Sequence, residues 1–168
     1  IGLGSIGQRH ARNLGEMGHK VWGYDSNSTE AIPGIINAST VNALHKNCEA
    51  LILALPSNQH CVKYLESPDV PILIEKPIGI QLGDVYQYQF AFRERKALVM
   101  VGCNLRMHSC VKKAKEWIKD GLIGDLICGS FSVFQFNNKY TEPCILNWGA
   151  HECDLALYFL GPATVTGA

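Results

Sequence analysis

The chain has 168 residues, which is enough for one ordinary domain or for one domain and part of another. Apolar residues make up 47% of it and charged residues 18%, below the usual ~25%, so we expect a real core and extra surface buried against a partner subunit or missing chain. The 15 basic and 15 acidic residues cancel, which disfavours nucleic acid as a partner, and the apolar runs are far shorter than the ~20 residues of a membrane-spanning helix. Seven cysteines without C-x-x-C spacing predict reduced thiols in a cytoplasmic protein.

Strand and helix patterns alternate through the first 102 residues. In chain order they predict a glycine turn at 1–7, a helix to about Met17 that Gly18 ends, a strand at 20–24, a loop at 26–34, a strand at 50–55, a helix at 58–66, a strand at 71–74, a helix at 82–95 and a strand at 97–101. The continuous apolar run at 50–55 is typical of a central parallel strand that is covered on both faces. The pattern therefore predicts an α/β fold, a Rossmann-type doubly wound parallel sheet with right-handed crossovers.

The pattern changes after residue 102, where we place a boundary between a dinucleotide-binding domain (1–102) and the start of a second domain (103–168). The second region is predicted to hold a lysine-rich helix ended by Gly121 and Gly124, a long strand at 126–136 and a helix at 150–160. These elements suit an incomplete α+β substrate domain. Only Ile1 precedes the first glycine, so we expect a truncated first strand and a fragment of a longer protein.

The motif Gly2-x-Gly4-x-x-Gly7 lies at the predicted junction of a strand and a helix, and Asp25 ends the next strand eighteen residues after Gly7. In this context Gly2 permits a tight turn, Gly4 lets a pyrophosphate approach the backbone, and Gly7 allows close packing of helix on strand. Asp25 would accept hydrogen bonds from the adenosine ribose and repel a 2′-phosphate, and no arginine follows it, so NAD is favoured over NADP. The alternative is a glycine turn beside a surface aspartate that caps a helix.

The tripeptide Glu75-Lys76-Pro77 directly follows a buried strand, at the edge of the sheet where parallel folds bind ligands. A partly desolvated Lys76 ammonium beside the nicotinamide could polarise a substrate hydroxyl and help to lower its pKa. Taken alone, the tripeptide is better explained as an exposed pair at a strand end.

Four segments together resemble the glucose-fructose oxidoreductase/inositol dehydrogenase (Gfo/Idh/MocA) family. They are the segments 2–10, 55–60, 75–77 and 102–108, which read GLGSIGQRH, LPSNQH, EKP and GCNLRMH. The resemblance implies that Lys76 acts with a histidine on the substrate hydroxyl. It also implies that the stretch from Pro56 to His60 lines the nicotinamide half of the cofactor, and that Asn104 and Arg106 face the substrate.

The family also carries an Asp-x-x-x-His pair in its second domain, and here the sequence departs from it. His151 matches the histidine, but Asn147 stands in place of the aspartate, and Glu142 and Pro143 stand where paired glycines should be. Asn147 can hydrogen-bond a sugar hydroxyl but cannot take its proton. Asp154, one helical turn after His151, is either the alternative carboxylate or an ordinary helix residue.

The motifs and the resemblance together give the candidate site residues. Those assigned to the cofactor are Gly2, Gly4, Ser5, Ile6, Gly7, Asp25, Pro56, Asn58, His60, Glu75, Lys76 and Pro77. Those assigned to the substrate are Lys76, Asn104, Arg106, Asn147 and His151, with Lys76 and His151 catalytic. No group of residues has the spacing of a metal site. His10, His19 and His45 are interpreted as structural or solvated. His108 lies beside the predicted substrate cleft, where it is either a ligand contact or a structural residue.

The motifs predict an NAD-dependent dehydrogenase, and the resemblance implies that it acts on the secondary hydroxyl of a sugar, cyclitol or sugar-derived acid. The alternative is a non-catalytic dinucleotide-binding homologue that acts as a sensor or partner subunit. The resemblance further implies a homo-oligomer assembled through the second domain.

Overall fold

The computed structural model describes residues 1–27, 30–59, 62–65, 69–133 and 144–166. The chain divides into two compact units, Ile1–Gly102 and Cys103–Ala168. The strands, all in the first unit, are β1 (Val21–Gly23), β2 (Ile35–Asn37), β3 (Leu51–Leu53), β4 (Ile72–Ile74) and β5 (Val99–Val101). The helices of the first unit are α1 (Ser5–Glu16), α2 (Val41–Asn47) and α3 (Leu82–Arg93), and those of the second are α4 (Ser109–Lys119), α5 (Cys144–Asn147) and α6 (Gly149–Leu160).

The five strands form two parallel groups, β1 with β2 and β3 with β4 and β5, and Ile1 lies between the groups. The Ile1 amino group donates to the carbonyl of Ile52 at 2.7 Å, and Ala54 N donates to the Ile1 carbonyl at 2.8 Å. On the other side Gly2 N donates to the Tyr24 carbonyl at 2.8 Å. Residues 1 and 2 therefore join both groups in the order β2-β1-(1–2)-β3-β4-β5, which is that of a doubly wound Rossmann sheet, and the predicted fold class is confirmed.

The core of the first unit lies around β3 and β4, as the apolar run at 50–55 predicts. Leu53 and Ile74 are completely buried, and Leu44 from α2 and Tyr88 from α3 are each 1% exposed. In both strands the first and third side chains, which share one face of the sheet, are buried, and the middle side chain, on the opposite face, is half-buried. The sheet edge that carries the candidate residues of the first unit thus adjoins this core.

The structure of the first unit adds two elements that were not predicted and corrects one that was. No element was predicted at 35–47, where the structure has β2 and α2; α2 begins after Thr40, whose side-chain oxygen accepts from Ala43 N at 3.2 Å. The predicted helix at 58–66 is wrong as an α-helix over its described residues. Two 3₁₀ turns, Ser57–Gln59 and Val62–Leu65, replace it, and Gln59 N donates to the carbonyl of Pro56, three residues back.

In the second unit the predicted helices are confirmed as α4 and α6, and Gly121 and Gly124 have φ values of 71° and 70° after α4. The predicted strand is wrong at 126–133, where no strand forms, and its last residues, 134–136, lie outside the described part of the chain. A strand needs a partner for its backbone groups, and the described residues of this unit contain none. No described helix of either unit is both long and apolar enough to cross a membrane.

Replacing Leu53 by alanine should lower the free energy of unfolding by about 2–5 kcal/mol, because the side chain is completely buried and its removal leaves a cavity. Urea denaturation of the protein measures the change. Leu98→Ala is the matched control, since Leu98 is 71% exposed and its truncation should cost less than about 0.5 kcal/mol. Equal losses in the two variants would contradict the placement of the core.

Candidate functional site

The glycine turn at the start of the chain folds tightly back on itself. Gly2 has φ +83°, and a Cβ there would lie 2.5 Å from the carbonyl oxygen of Ala54. A Cβ on Gly7 would collide with the carbonyl oxygen of Gly2. Both positions therefore require glycine, Gly2 for its backbone conformation and Gly7 for the close packing of α1 on the turn, as the sequence predicts.

The amino end of α1 opens onto free space. Gly4 is the residue before the helix, no side chain caps it, and a Cβ on Gly4 would meet no atom within 4 Å. Ser5 and Ile6, in the first helical turn, are exposed. Because the first amides of a helix have no intrahelical acceptor and carry the positive end of its dipole, this end of α1 suits an anion.

The Asp25 carboxylate is fixed beside this turn by two backbone amides. Leu3 N donates to its Oδ2 at 2.7 Å and Asn27 N donates to its Oδ1 at 2.8 Å. A cleft of about 230 Å³ lies against it at the carboxyl ends of β1 and β2, lined by Leu3, Gly23, Tyr24, Asp25, Asn37, Ala38 and Ser39. Each Asp25 oxygen retains lone pairs, so the carboxylate can also accept bonds from the hydroxyls of a ribose in the cleft.

A larger cavity of about 530 Å³ lies elsewhere in the first unit. It is lined by the inner face of α1 and by residues around the starts of β1 and β3, such as Val21 and Leu51, and it reaches Gly2 and Gly7 of the glycine turn. Its strand residues lie mostly at the amino ends, whereas parallel sheets bind their ligands at the carboxyl ends. The smaller cleft at Asp25 is therefore the one that belongs to the candidate site.

The Glu75-Lys76-Pro77 turn follows β4 at the same edge of the sheet. Glu75 N donates to the Leu53 carbonyl at 2.9 Å, which continues the pairing of the strands, and the side chains of Lys76 and Pro77 are half-buried. Glu75 Oε1 lies 2.7 Å from Nε2 of His10 on α1. The interpretation of His10 as structural or solvated is thus incomplete, because it joins α1 to the turn that carries the candidate catalytic lysine.

Residues 56–60 follow β3 at this edge, and the structure describes them in part. Pro56 is exposed and Ser57 is 8% exposed at the start of the first 3₁₀ turn. Asn58 lies in that turn, but its side chain, like the whole of His60, is outside the described part of the chain. The assignment of this stretch to the nicotinamide half of a cofactor stays a prediction.

In the second unit Arg106 is engaged by Asp154. Its Nε and Nη2 donate to the two carboxylate oxygens at 2.8 and 2.6 Å, and the guanidinium carbon lies 4.9 Å from the ring centroid of Tyr158. The hydrogen bond with Asp154 raises the pKa of Arg106 above its ordinary value. Arg106 was predicted to face the substrate; here its guanidinium ties the 3₁₀ turn Asn104–Met107 to α6.

The remaining candidates of the second unit lie on or near α6. Asn104 is exposed in its turn, and His151 is half-buried near the start of α6 with its ring centroid 6.3 Å from that of Trp148. Asn147 lies at the end of α5, its side chain outside the described part, as are Glu142 and Pro143. Each oxygen of Asp154 accepts a hydrogen bond from Arg106, and the alternative role of Asp154 stays a prediction.

The remaining candidates are His108 and the residue types that could bind a metal ion. His108 is the residue before α4, and its Nδ1 accepts from Cys110 N at 3.3 Å, so it acts as a helix cap. Among the described residues, no three His, Cys, Asp or Glu side chains come together as metal ligands.

His10 and Leu3 are the residues of the site that sequence reasoning missed. The Leu3 contact is made by a backbone amide and leaves no signal in the sequence. His10 did leave a signal, which is its spacing along α1. It follows Gly7 by three residues and adjoins Ala11, and because Gly7 and Ala11 are the buried residues of α1, His10 lies on the helix face packed against the sheet.

An anion on the amino end of α1 and a ribose on Asp25 are the two contacts that this edge can make together, and they are how Rossmann domains bind adenine dinucleotides. The comparison with known families agrees with this geometry. Residues 1–103 match the family described as the NAD binding domain of 6-phosphogluconate dehydrogenase, and the chain belongs to that family of NAD-binding domains.

Relatives and solved structures extend the likeness beyond residue 103. The 2,7-anhydro-N-acetylneuraminate hydratase of Escherichia coli (strain K12) is 26% identical over 99% of this chain and 50% of its own. A probable dehydrogenase from Thermotoga maritima superposes with a TM-score of 0.74 at 22% identity, covering 97% of this chain and 54% of its own. Levoglucosan dehydrogenase in its apo form gives a TM-score of 0.72 at 19% identity, covering 96% and 51%. The chain spans half or less of the length of the curated relatives that it matches.

Replacing Gly4 by alanine should weaken the binding of NADH by about tenfold or more while leaving the melting temperature nearly unchanged. The new Cβ meets no protein atom, so only a bound pyrophosphate would be crowded by it. Fluorescence titration and thermal denaturation measure the two quantities.

Gly15→Ala is the control for this variant. A Cβ at Gly15, near the other end of α1, also meets no atom within 4 Å. This variant should keep the affinity for NADH and gain up to about 1 kcal/mol of stability from the helix propensity of alanine. Unchanged affinity in Gly4→Ala would remove Gly4 from the binding site.

Proposed function

We propose that the protein is an NAD-dependent oxidoreductase of the Gfo/Idh/MocA type that acts on a secondary hydroxyl of a sugar, cyclitol or sugar-derived acid. The observation that carries the proposal is the position of Lys76. It follows β4 at the sheet edge that holds the glycine turn and Asp25, in a chain that belongs to an NAD-binding family. The likeness to levoglucosan dehydrogenase and to a hydratase named for a sugar acid supports the substrate class.

The choice of NAD over NADP is proposed from Asp25. Its carboxylate is negative and is held in place by the amides of Leu3 and Asn27, so it cannot swing away from a ribose bound in the cleft. A 2′-phosphate would bring like charge against it, whereas a 2′-hydroxyl would donate a hydrogen bond to it.

In the proposed reaction the chain's residues bind, align and move a proton. When bound, NAD supplies the acceptor for a hydride from the carbinol carbon. Lys76 donates a hydrogen bond to the substrate hydroxyl and stabilises the negative charge that develops on its oxygen, and His151 takes the proton. Asn147 orients the substrate through its amide and leaves proton transfer to His151.

A specific departure favours one other function, a dinucleotide-binding sensor or partner subunit without catalysis. Asn147 replaces the aspartate that would support His151 as a base, and Glu142 and Pro143 replace two glycines. Absorbance of reduced nicotinamide, followed over a panel of sugars, inositols and sugar acids, distinguishes the two functions. Binding of NADH without turnover of any member of the panel would favour the sensor.

Asp25→Asn should lower the affinity for NAD and shift the ratio of the NADP and NAD dissociation constants by about tenfold toward NADP, because the charge that repels a 2′-phosphate is gone. Titration with both reduced coenzymes measures the ratio. The control is Asp125→Asn, an exposed aspartate of the second unit, which should leave the ratio as it was. An unchanged ratio in Asp25→Asn would overturn the proposed coenzyme preference.

Lys76→Ala should reduce kcat by about 10²-fold or more and change the affinity for NADH by less than about threefold, because the lysine acts on the substrate hydroxyl. Steady-state assays and coenzyme titration separate the two effects. Lys96→Ala removes an exposed lysine of the same unit and should keep both values. Normal turnover in Lys76→Ala would show that the assigned role is wrong.

A further inference from the structure

We propose that His10 is a positioning residue: by binding Glu75 it holds the turn that carries Lys76 against α1, and so sets the direction of the Lys76 side chain. The inference rests on the proposed function for its effect on turnover. Its structural part, the dependence of Lys76 on His10, stands on the contacts of the first unit alone.

The contact joins two elements that are far apart in sequence. His10 Nε2 and Glu75 Oε1 are 2.7 Å apart, and the two side chains are 28% and 23% exposed. A neutral imidazole donates its Nε2 proton to the carboxylate, and an imidazolium does the same with added charge, so the bond persists in either state of the ring. Because less than a third of either side chain is exposed, water competes less for this hydrogen bond than it does for one between fully exposed side chains.

Glu75 is held on its other sides as well. Its backbone amide donates to the Leu53 carbonyl at 2.9 Å, and Gly102 N donates to the carbonyl of the preceding residue, Ile74, at 2.7 Å. A Cβ on Gly102 would lie 3.3 Å from Glu75 Oε2. The Glu75 carboxylate thus lies between α1 and the end of β5. The hydrogen bond with His10 fixes the orientation of its side chain.

The fixed carboxylate constrains the next residue. Glu75 continues the strand pairing of β4. Lys76 follows in a bend, and the planar peptide that joins it to Glu75 means that a Glu75 held against α1 limits the directions open to the Lys76 side chain. Without the imidazole, the partly buried carboxylate loses a donor and turns toward water, and the backbone at Lys76 moves with it.

The arrangement gives α1 two tasks. Its amino end is the anion site of the glycine turn, and His10, on its inner face, holds the lysine turn. The coenzyme and Lys76 would then both be positioned by the same helix, so the distance between them would vary little. Catalysis depends on such precise placement of the reacting groups.

The test compares His10→Leu, which removes the donor, with His10→Gln, whose amide can still donate to Glu75. Lys76 is followed by NMR after ¹³C-methylation of the lysines, with its signal assigned by Lys76→Arg. We expect the Lys76 signal to shift in His10→Leu and to return toward its original position in His10→Gln. His19→Leu, an exposed histidine just past the same helix, is the control and should leave the signal unmoved.

Kinetics supply the second readout. His10→Leu should lower kcat by about tenfold or more with the dissociation constant for NADH changed less than about threefold, and His10→Gln should recover most of kcat. A purely structural role of His10 would instead reduce stability and coenzyme affinity together with kcat. If His10→Leu fails to fold, His10→Asn takes its place, since the shorter amide does not reach Glu75.

An unmoved Lys76 signal in the variant that lacks the donor would overturn the inference, as would loss of coenzyme affinity without loss of kcat. The two proposals fail separately. A protein that turns over no polyol while its Lys76 signal still depends on His10 would refute the proposed function and leave the positioning role intact.

Discussion

The close contact between the two ends of the glycine motif is the constraint on which the candidate site depends. No side chain fits on Gly7, because a Cβ there would strike the Gly2 carbonyl, and Gly2 itself lies against the backbone of Ala54. This contact lets residues 1 and 2 run between β1 and β3 while α1 starts at once above them. Because of it, the Leu3 amide meets Asp25, and the free amides of α1 open onto the same edge as Lys76.

Patterns within a few residues predicted most of the first unit. The apolar runs of β3 and β4, the glycine spacing and the helix stop at Gly18 are local signals, and each marks a feature that the structure has. The pairing of β2 with β1 is different, because it rests on a contact across the sheet. Gly23 leaves room for the side chain of Ile35, whose Cγ2 would lie 2.7 Å from a Cβ at that glycine. A strand of only three residues, between Gly34 and Ala38, shows no such partner in the sequence.

The partners of charged side chains were equally hidden. Glu75 and His10 are 65 positions apart, and Arg106 and Asp154 are 48 apart, so no spacing rule connects them. The resemblance assigns roles to Glu75 and Arg106, which stay predictions, and it does not indicate the side chains that they contact. The structure adds that two of the three guanidinium nitrogens of Arg106 bind the Asp154 carboxylate, a bidentate contact of the strong, charge-assisted kind.

The two candidate catalytic residues consequently stand on supports of different kinds. Lys76 follows β4, in which Ile72 and Ile74 are buried in the core. The helices α4 and α6, in contrast, have no buried residue. The described part of α6 is instead held by Arg106 on Asp154 and by Lys115, which donates to the Tyr158 carbonyl and lies 4.9 Å from its ring centroid. Polar contacts at half-exposed positions weaken with salt and open more readily than a packed core. The helix that carries His151 is therefore held less firmly than the turn that carries Lys76, and the bond between Arg106 and Asp154 is one of the contacts that fix its position.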